Sequence, residues 1–152
     1  MAHVELSLSE VFVPTARAST ELGSDNLGQW SSTVCRADEP CLLIDADTLV
    51  VAISAAGCEL LCLGEPAGLI GRPLLNGGLR LLDFTANRGE LTEAEVDKIP
   101  PLLALSSGRL ARGLLRVQAA SADSSDATVD AISTPVHANG AVAGSLTFFS
   151  EV

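Results

Sequence analysis

Residues 41–64 read "CLLIDADTLVVAISAAGCELLCLG". Two β-rich runs, "CLLID" and "LVVAI", stand on either side of Ala46 and Asp47. Short apolar runs about an Asp-containing turn read as a hairpin. Ser54 follows where a helix needs an N-cap, and from Ala55 to Leu63 the text runs as a helix. Gly64 can end that helix in a left-handed conformation. Strand, turn, strand and helix are thus written in this one stretch, and the rest of the chain has to complete them.

Downstream, "EPAGLIGRPLL" (65–75) is expected to be a short helical connector, with Gly71 at a bend and Arg72 carrying the charge in "GLIGRPLL". "NGGLRLLDF" (76–84) passes through a turn into another short segment. Thr92 and Glu95 have capping-box spacing, which predicts a short helix in "EAEVDKI". Pro100 and Pro101 suit the first turn of the next helix, expected to run through "LLALSSGRLA" until Gly113 stops it. Three strands should follow, "GLLRVQA", "ATVDAISTPVHA" and "AVAGSLTFF". The last two flank Asn139-Gly140, the strongest short-range hairpin signal in the chain. In the last strand Val142, Gly144, Leu146 and Phe148 alternate with Ala143, Ser145, Thr147 and Phe149, one set to each face. The order predicts an α+β fold, a five-stranded antiparallel sheet with short helices packed on one face.

Upstream the text changes. Residues 1–39 read as an N-terminal arm and residues 40–152 as the domain. "ELGSDNLGQWSST" (21–33) has a linker's composition. Ser7 and Glu10 have capping-box spacing, but Pro14 limits any helix there to a turn or two. Yet Leu8, Phe12 and Trp30 are too apolar for a purely solvated tail. Either a second copy of the chain covers them, giving a homodimer, or the arm folds back on its own sheet as a lid.

The chain has 152 residues, 47% of them hydrophobic, enough for one folded domain. Its 19 acidic residues against 9 basic give a net charge of −10, which a phosphate backbone or an anionic membrane surface repels. Lys98 is the sole lysine, a usage compatible with a GC-rich bacterial genome. "MAHVELSLSE" lacks the basic, then apolar, plan of a secretory signal, so the expected location is the cytoplasm. Residues 131–150 lack Asp, Glu, Lys and Arg, but Pro135, His137, Asn139, Gly140 and Gly144 interrupt them. That describes a buried hairpin rather than a membrane span.

The wording resembles a PAS domain. Residues 41–75 are similar to that family's strand, Asp-turn, strand, helix and "liGrpl" sentence, and "TPVHANGAVAGSLTFF" (134–149) to its closing hairpin. The resemblance spans residues 40–150 or so, and its degenerate wording speaks for fold more than for activity. It implies a stand-alone sensory or signal-transduction domain that binds a small ligand or docks on a separate effector, since no kinase, cyclase or DNA-binding segment follows "FFSEV". It also implies a pocket between helices and sheet, with Leu60, Leu61, Ile70, Leu74, Leu103, Val117 and Leu146 as walls and Arg72 bonded to carbonyls or an acidic neighbour. Flavin-reactive members carry a cysteine just after the Gly-Arg pair; here Pro73, Leu74 and Leu75 follow Gly71-Arg72. Haem-binding members offer a histidine from the helix before the last three strands, and residues 93–112 contain none. Neither a flavin–thiol adduct nor haem ligation of that type is expected.

Other candidates carry two readings each. Cys58 and Cys62 stand at i and i+4, so on a helix they share a face. They could bind a soft metal or answer to oxidation, or pack as small hydrophobes. No CxxC supplies further ligands, and the second reading is preferred, with no metal site expected. Asp45 and Asp47 suit a turn. His137 reads as a polar residue beside a turn. Ser106 and Ser107 have no base in reach of the text, so no enzymatic activity is expected. Two alternatives to a sensor remain: a ligand-free interaction adaptor, and a thiol redox protein using Cys58 and Cys62.

Overall fold

The structure, a computed structural model, describes residues 26–75, 78–119 and 125–152. Strands β1 (Cys41–Asp45) and β2 (Val50–Ile53) form the first hairpin, with Leu43 opposite Ala52. Asp45 builds its turn: Oδ1 accepts from the N–H groups of Asp47 (2.9 Å) and Leu49 (3.0 Å), which lets Thr48 sit at φ 65. Helix α1 (Asn26–Arg36) precedes this hairpin and helix α2 (Ala55–Leu60) follows it. Ser54 caps α2, its hydroxyl accepting from Gly57 N–H at 3.0 Å, and Gly64 (φ 85) turns the chain beyond it.

The connector is helical only over a 3₁₀ turn, Pro66–Gly68. "GRPL" then turns at Gly71 (φ 83) and lies along the open side of β2: Gly71 N–H donates to Val50 O (2.7 Å), Val50 N–H to Arg72 O (2.8 Å) and Leu74 N–H to Thr48 O (3.1 Å). A longer helix would have left the β2 edge unpaired. β3 (Leu81–Leu82) follows, then α3 (Glu93–Val96), whose capping box is complete: Thr92 N–H donates to Glu95 Oε1 (3.0 Å) and Glu95 N–H to Thr92 Oγ1 (3.3 Å). α4 (Pro100–Ser107) ends at Gly108 (φ 68), not at Gly113 as expected. Gly108 already supplies the left-handed stop, and Gly113 lies inside β4 (Ala111–Val117), with Pro100 against its bare Cα. β5 (Ala127–Ala138) and β6 (Ala141–Glu151) close the fold through Asn139 (φ 53) and Gly140 (φ 79), both left-handed as a type I′ turn requires.

The sheet order is β2-β1-β6-β5-β4-β3, every pair antiparallel. It has six strands rather than five, because Leu81–Leu82 pairs with Val117 and Arg116 at the far edge. Pro135 is tolerated in β5 because β4 begins opposite Ser133, so the missing N–H faces no partner strand there.

The short helices α2 and α4 pack on one face of the sheet, as expected, and α1, from the arm, covers part of the other. The inner face buries Leu42, Ile44, Ile53, Val129, Ala131 and Phe149 under Cys58, Leu61, Leu74 and Ile99. On the outer face Cys41, Leu43, Ala52, Val136 and Leu146 pack with Val34, and Leu27 joins them. Leu27 and Val34 lie on α1, where the sequence read as a linker. Their spacing of seven puts both on one side of a helix, and Asn26 Nδ2 donates to His137 O (2.8 Å) at its start. This last part of the arm folds back on its own sheet; Leu8 and Phe12 lie outside the described residues.

Candidate functional site

The expected pocket lining does not come together. Leu61, Leu74 and Val117 are buried in the inner core and Leu60 packs against it. They fill the space between helices and sheet instead of walling it. Ile70 is 46% and Leu103 38% exposed, because Ile70 rides the turn before Gly71 and Leu103 points off α4. Leu146 is buried in the outer cluster under α1, its parity on β6 setting it opposite Phe149. Arg72 is exposed, so water solvates its charge and no buried partner is needed; its backbone, not its guanidinium, does the bonding.

Beside the core lies an open cleft of about 670 Å³. Leu75, Leu79, Leu81, Leu91 and Val96 give it apolar walls, and Arg80, Glu90, Glu93 and Asp97 give it charge. The volume falls in the range of small-molecule sites. The short segment within "NGGLRLLDF" and the capping box at Thr92 were visible in sequence. That they face one another across a cleft was not, because the return at Asp83–Leu91 joins them: Asp83 N–H donates to Gly89 O (2.8 Å) and Leu91 N–H to Leu81 O (3.4 Å).

One polar network borders this region. Asp126 accepts from Arg88 Nε (2.5 Å) and Nη2 (2.8 Å) and from Ala119 N–H (3.0 Å), with Arg116 at 3.5 Å. The Arg88 hydrogen bonds foremost, then the Ala119 amide, hold its carboxyl down to about 2. Asp83 is also held below the carboxylate range, chiefly by the Thr85 hydroxyl at 2.6 Å. On the inner sheet face Ser133 and Thr147 share a hydrogen bond of 2.6 Å.

The cysteines separate. Cys58 is in the core, and burial pushes its thiol up, away from the reactive thiolate. α2 ends at Leu60, and Cys62 lies beyond it at φ 58, exposed. The helical i, i+4 relation therefore lapses, and the pair does not share a face. Among the described residues no group of three or more His, Cys, Asp or Glu side chains is placed to hold a metal ion. His137 is exposed beside the closing turn, and Trp30, on α1, is 37% exposed.

The sequence matches no protein-family profile and no curated protein. Solved structures do resemble it. A PAS domain of a Colwellia psychrerythraea protein superposes with a TM-score of 0.56 at 15% identity, over 83% of this chain and 96% of that one. The Rhodobacter sphaeroides LOV protein gives 0.57 at 18% identity, over 84% and 67%. Vibrio cholerae VqmA, described as a dimer and among LuxR-type receptors, gives 0.55 at 16% identity, over 82% and 50%. The fold of this chain is therefore PAS-like, as the wording of residues 41–75 and 134–149 implied. No described helix is long and apolar enough to cross a membrane.

Proposed function

We propose that the chain is a sensory, signal-transducing PAS-like domain that binds a small ligand in the cleft between Leu79 and Val96, or docks on a separate effector protein, and performs no catalysis. The observation that carries this reading is the cleft itself: about 670 Å³, leucine-walled, placed against the helices of a PAS-like fold. A homodimer and a cytoplasmic setting belong to the same proposal. Net charge −10 supports a partner that is neither nucleic acid nor anionic membrane. Native mass spectrometry of the purified protein tests it. A bound mass of cofactor or metabolite size, lost on Leu79→Trp, is expected. A clean chain mass, with no ligand recovered from a metabolite extract, rejects the ligand half.

One observation favours a second reading, the ligand-free adaptor. The expected pocket walls Leu61, Leu74 and Val117 are packed core, so a domain of this kind can be stable with nothing bound. The redox reading has lost its geometric basis, because Cys58 is buried and Cys62 exposed.

A further inference from the structure

β4 is paired along its whole length on one side only. Gln118 N–H donates to Arg80 O at 2.9 Å, toward β3. Backbone groups alternate between the two edges of a strand, so Arg116, Leu114 and Arg112 turn the same way. Arg116 meets Leu82, and there β3 ends. Asp83 ends it: Oδ1 accepts from the Thr85 N–H (2.9 Å) and hydroxyl (2.6 Å), and the chain turns off. Among the described residues, no strand pairs with Arg112 and Leu114 on that side, while the other side of β4 is matched to β5 from Ala111 to Val117.

A groove of about 250 Å³ runs along this bare edge. Leu82, Leu91, Ile99 and Pro100 line it with Phe84 and Leu114, which are 58% and 53% exposed. Its lining departs from the chain's net charge of −10, with Glu95 the one acidic residue against Lys98 and Arg116. Glu95 is spent in the capping box, and Arg112 and Arg116 neutralise Asp130 and Asp126. Lys98 stands on the rim with no ion pair among the described residues, on a chain of net charge −10.

We propose that this edge of β4 receives an extended peptide of a partner protein as an added strand, one that alternates apolar residues with acidic ones. A strand supplies N–H and C=O groups at the spacing that Arg112 and Leu114 offer, and every second side chain faces the groove. The apolar set would cover Phe84 and Leu114, and the acidic set would meet Lys98. The inference deepens the docking half of the proposed function and rests on it only for the source of the peptide.

The test is amide hydrogen exchange on the full chain with a blocked hexapeptide alternating valine and glutamate, against its valine–lysine counterpart. With the glutamate peptide, exchange at Arg112 and Leu114 should slow about tenfold or more, with little change at Gly113 and Leu115. The lysine peptide should protect them less, and Lys98→Glu should reverse that preference. Absence of protection at those two amides at millimolar peptide overturns the proposal, as does equal protection by both peptides. Protection without peptide that rises with protein concentration assigns the edge to a second copy and overturns it too. Protection without peptide that disappears on deleting residues 1–25 assigns it to this chain and does the same. The groove and the Leu79–Val96 cleft share Leu91, but the readouts here are the Arg112 and Leu114 amides and Lys98, none of which lines the cleft, so failure here leaves the ligand reading standing, and the reverse.

Discussion

Ser54 Oγ lies among three backbone groups. It accepts from Gly57 N–H (3.0 Å) and Cys41 N–H (3.0 Å) and donates to Glu39 O (2.7 Å), fully buried. Its capping role was legible in sequence, since it is local. Its hold on the start of β1 was not, because that depends on the hairpin bringing Cys41 beside it. Ser54→Ala removes the cap and leaves buried backbone groups unpaired, so a loss of about 2–4 kcal/mol is expected. A urea midpoint shift of that size at unchanged slope checks it, and a shift under about 0.5 kcal/mol contradicts it. Cys58→Ala should cost only about 1 kcal/mol of packing, with metal content unchanged by elemental analysis. Asp126 behaves differently because its effect is on pH dependence. Its carboxyl titrates near 2 when folded, below the ordinary 3.8. The stabilisation it brings is therefore present above the unfolded value and disappears as pH falls through the folded one. Between about pH 4 and 2 the stability curve of Asp126→Asn should be flatter than that of the native chain, by denaturant melts at each pH.

Among the elements, β6 and α1 meet at Gly144. A Cβ there would collide with the Ile44 carbonyl oxygen of β1 and come within 2.8 Å of Leu27 Cδ2. Leu27 can rotate aside; the strand carbonyl cannot. Gly144→Ala is expected to cost about 3 kcal/mol, and to loosen α1, which Trp30, the sole tryptophan, reports by fluorescence. A native emission spectrum with native stability would contradict this. The elements that sequence made legible are those with local chemistry: Asp45 at its turn, Thr92 with Glu95, and Asn139-Gly140. Those it hid depend on partners far away in the chain. α1 is polar enough to read as a linker, and the sheet beneath makes it a helix. β3 has two residues, too few for any pattern, and exists because β4 lies beside it. The expected pocket failed for a related reason. Ile70, Leu103 and Leu146 are apolar letters like Leu61 and Leu74, and only the completed sheet decides which ones face the same space.

For the whole molecule, the outer sheet face bears on assembly. α1 covers the region of Leu43 and Leu146, while Phe148 on β6, Leu114 on β4 and Leu110 just before β4 are exposed. If the proposed homodimer forms, the full chain should weigh as a dimer by light scattering at tens of micromolar, an ordinary transient affinity. Deleting residues 1–25 should weaken it. A full-length monomer at that concentration rejects the dimer, and a truncated form that stays dimeric rejects the role of the first residues alone.

The place of β1 has another consequence. It lies between β2 and β6, with Cys41 opposite Phe148, about a hundred residues later in the chain. During synthesis α1 and the β1–β2 hairpin emerge before β6 and must wait for it, for on the order of ten seconds at ordinary elongation speeds. Throughout that interval the apolar strip Leu42–Ile44 has no second neighbour, and an unpaired strand edge of that kind is where a nascent chain is exposed to aggregation.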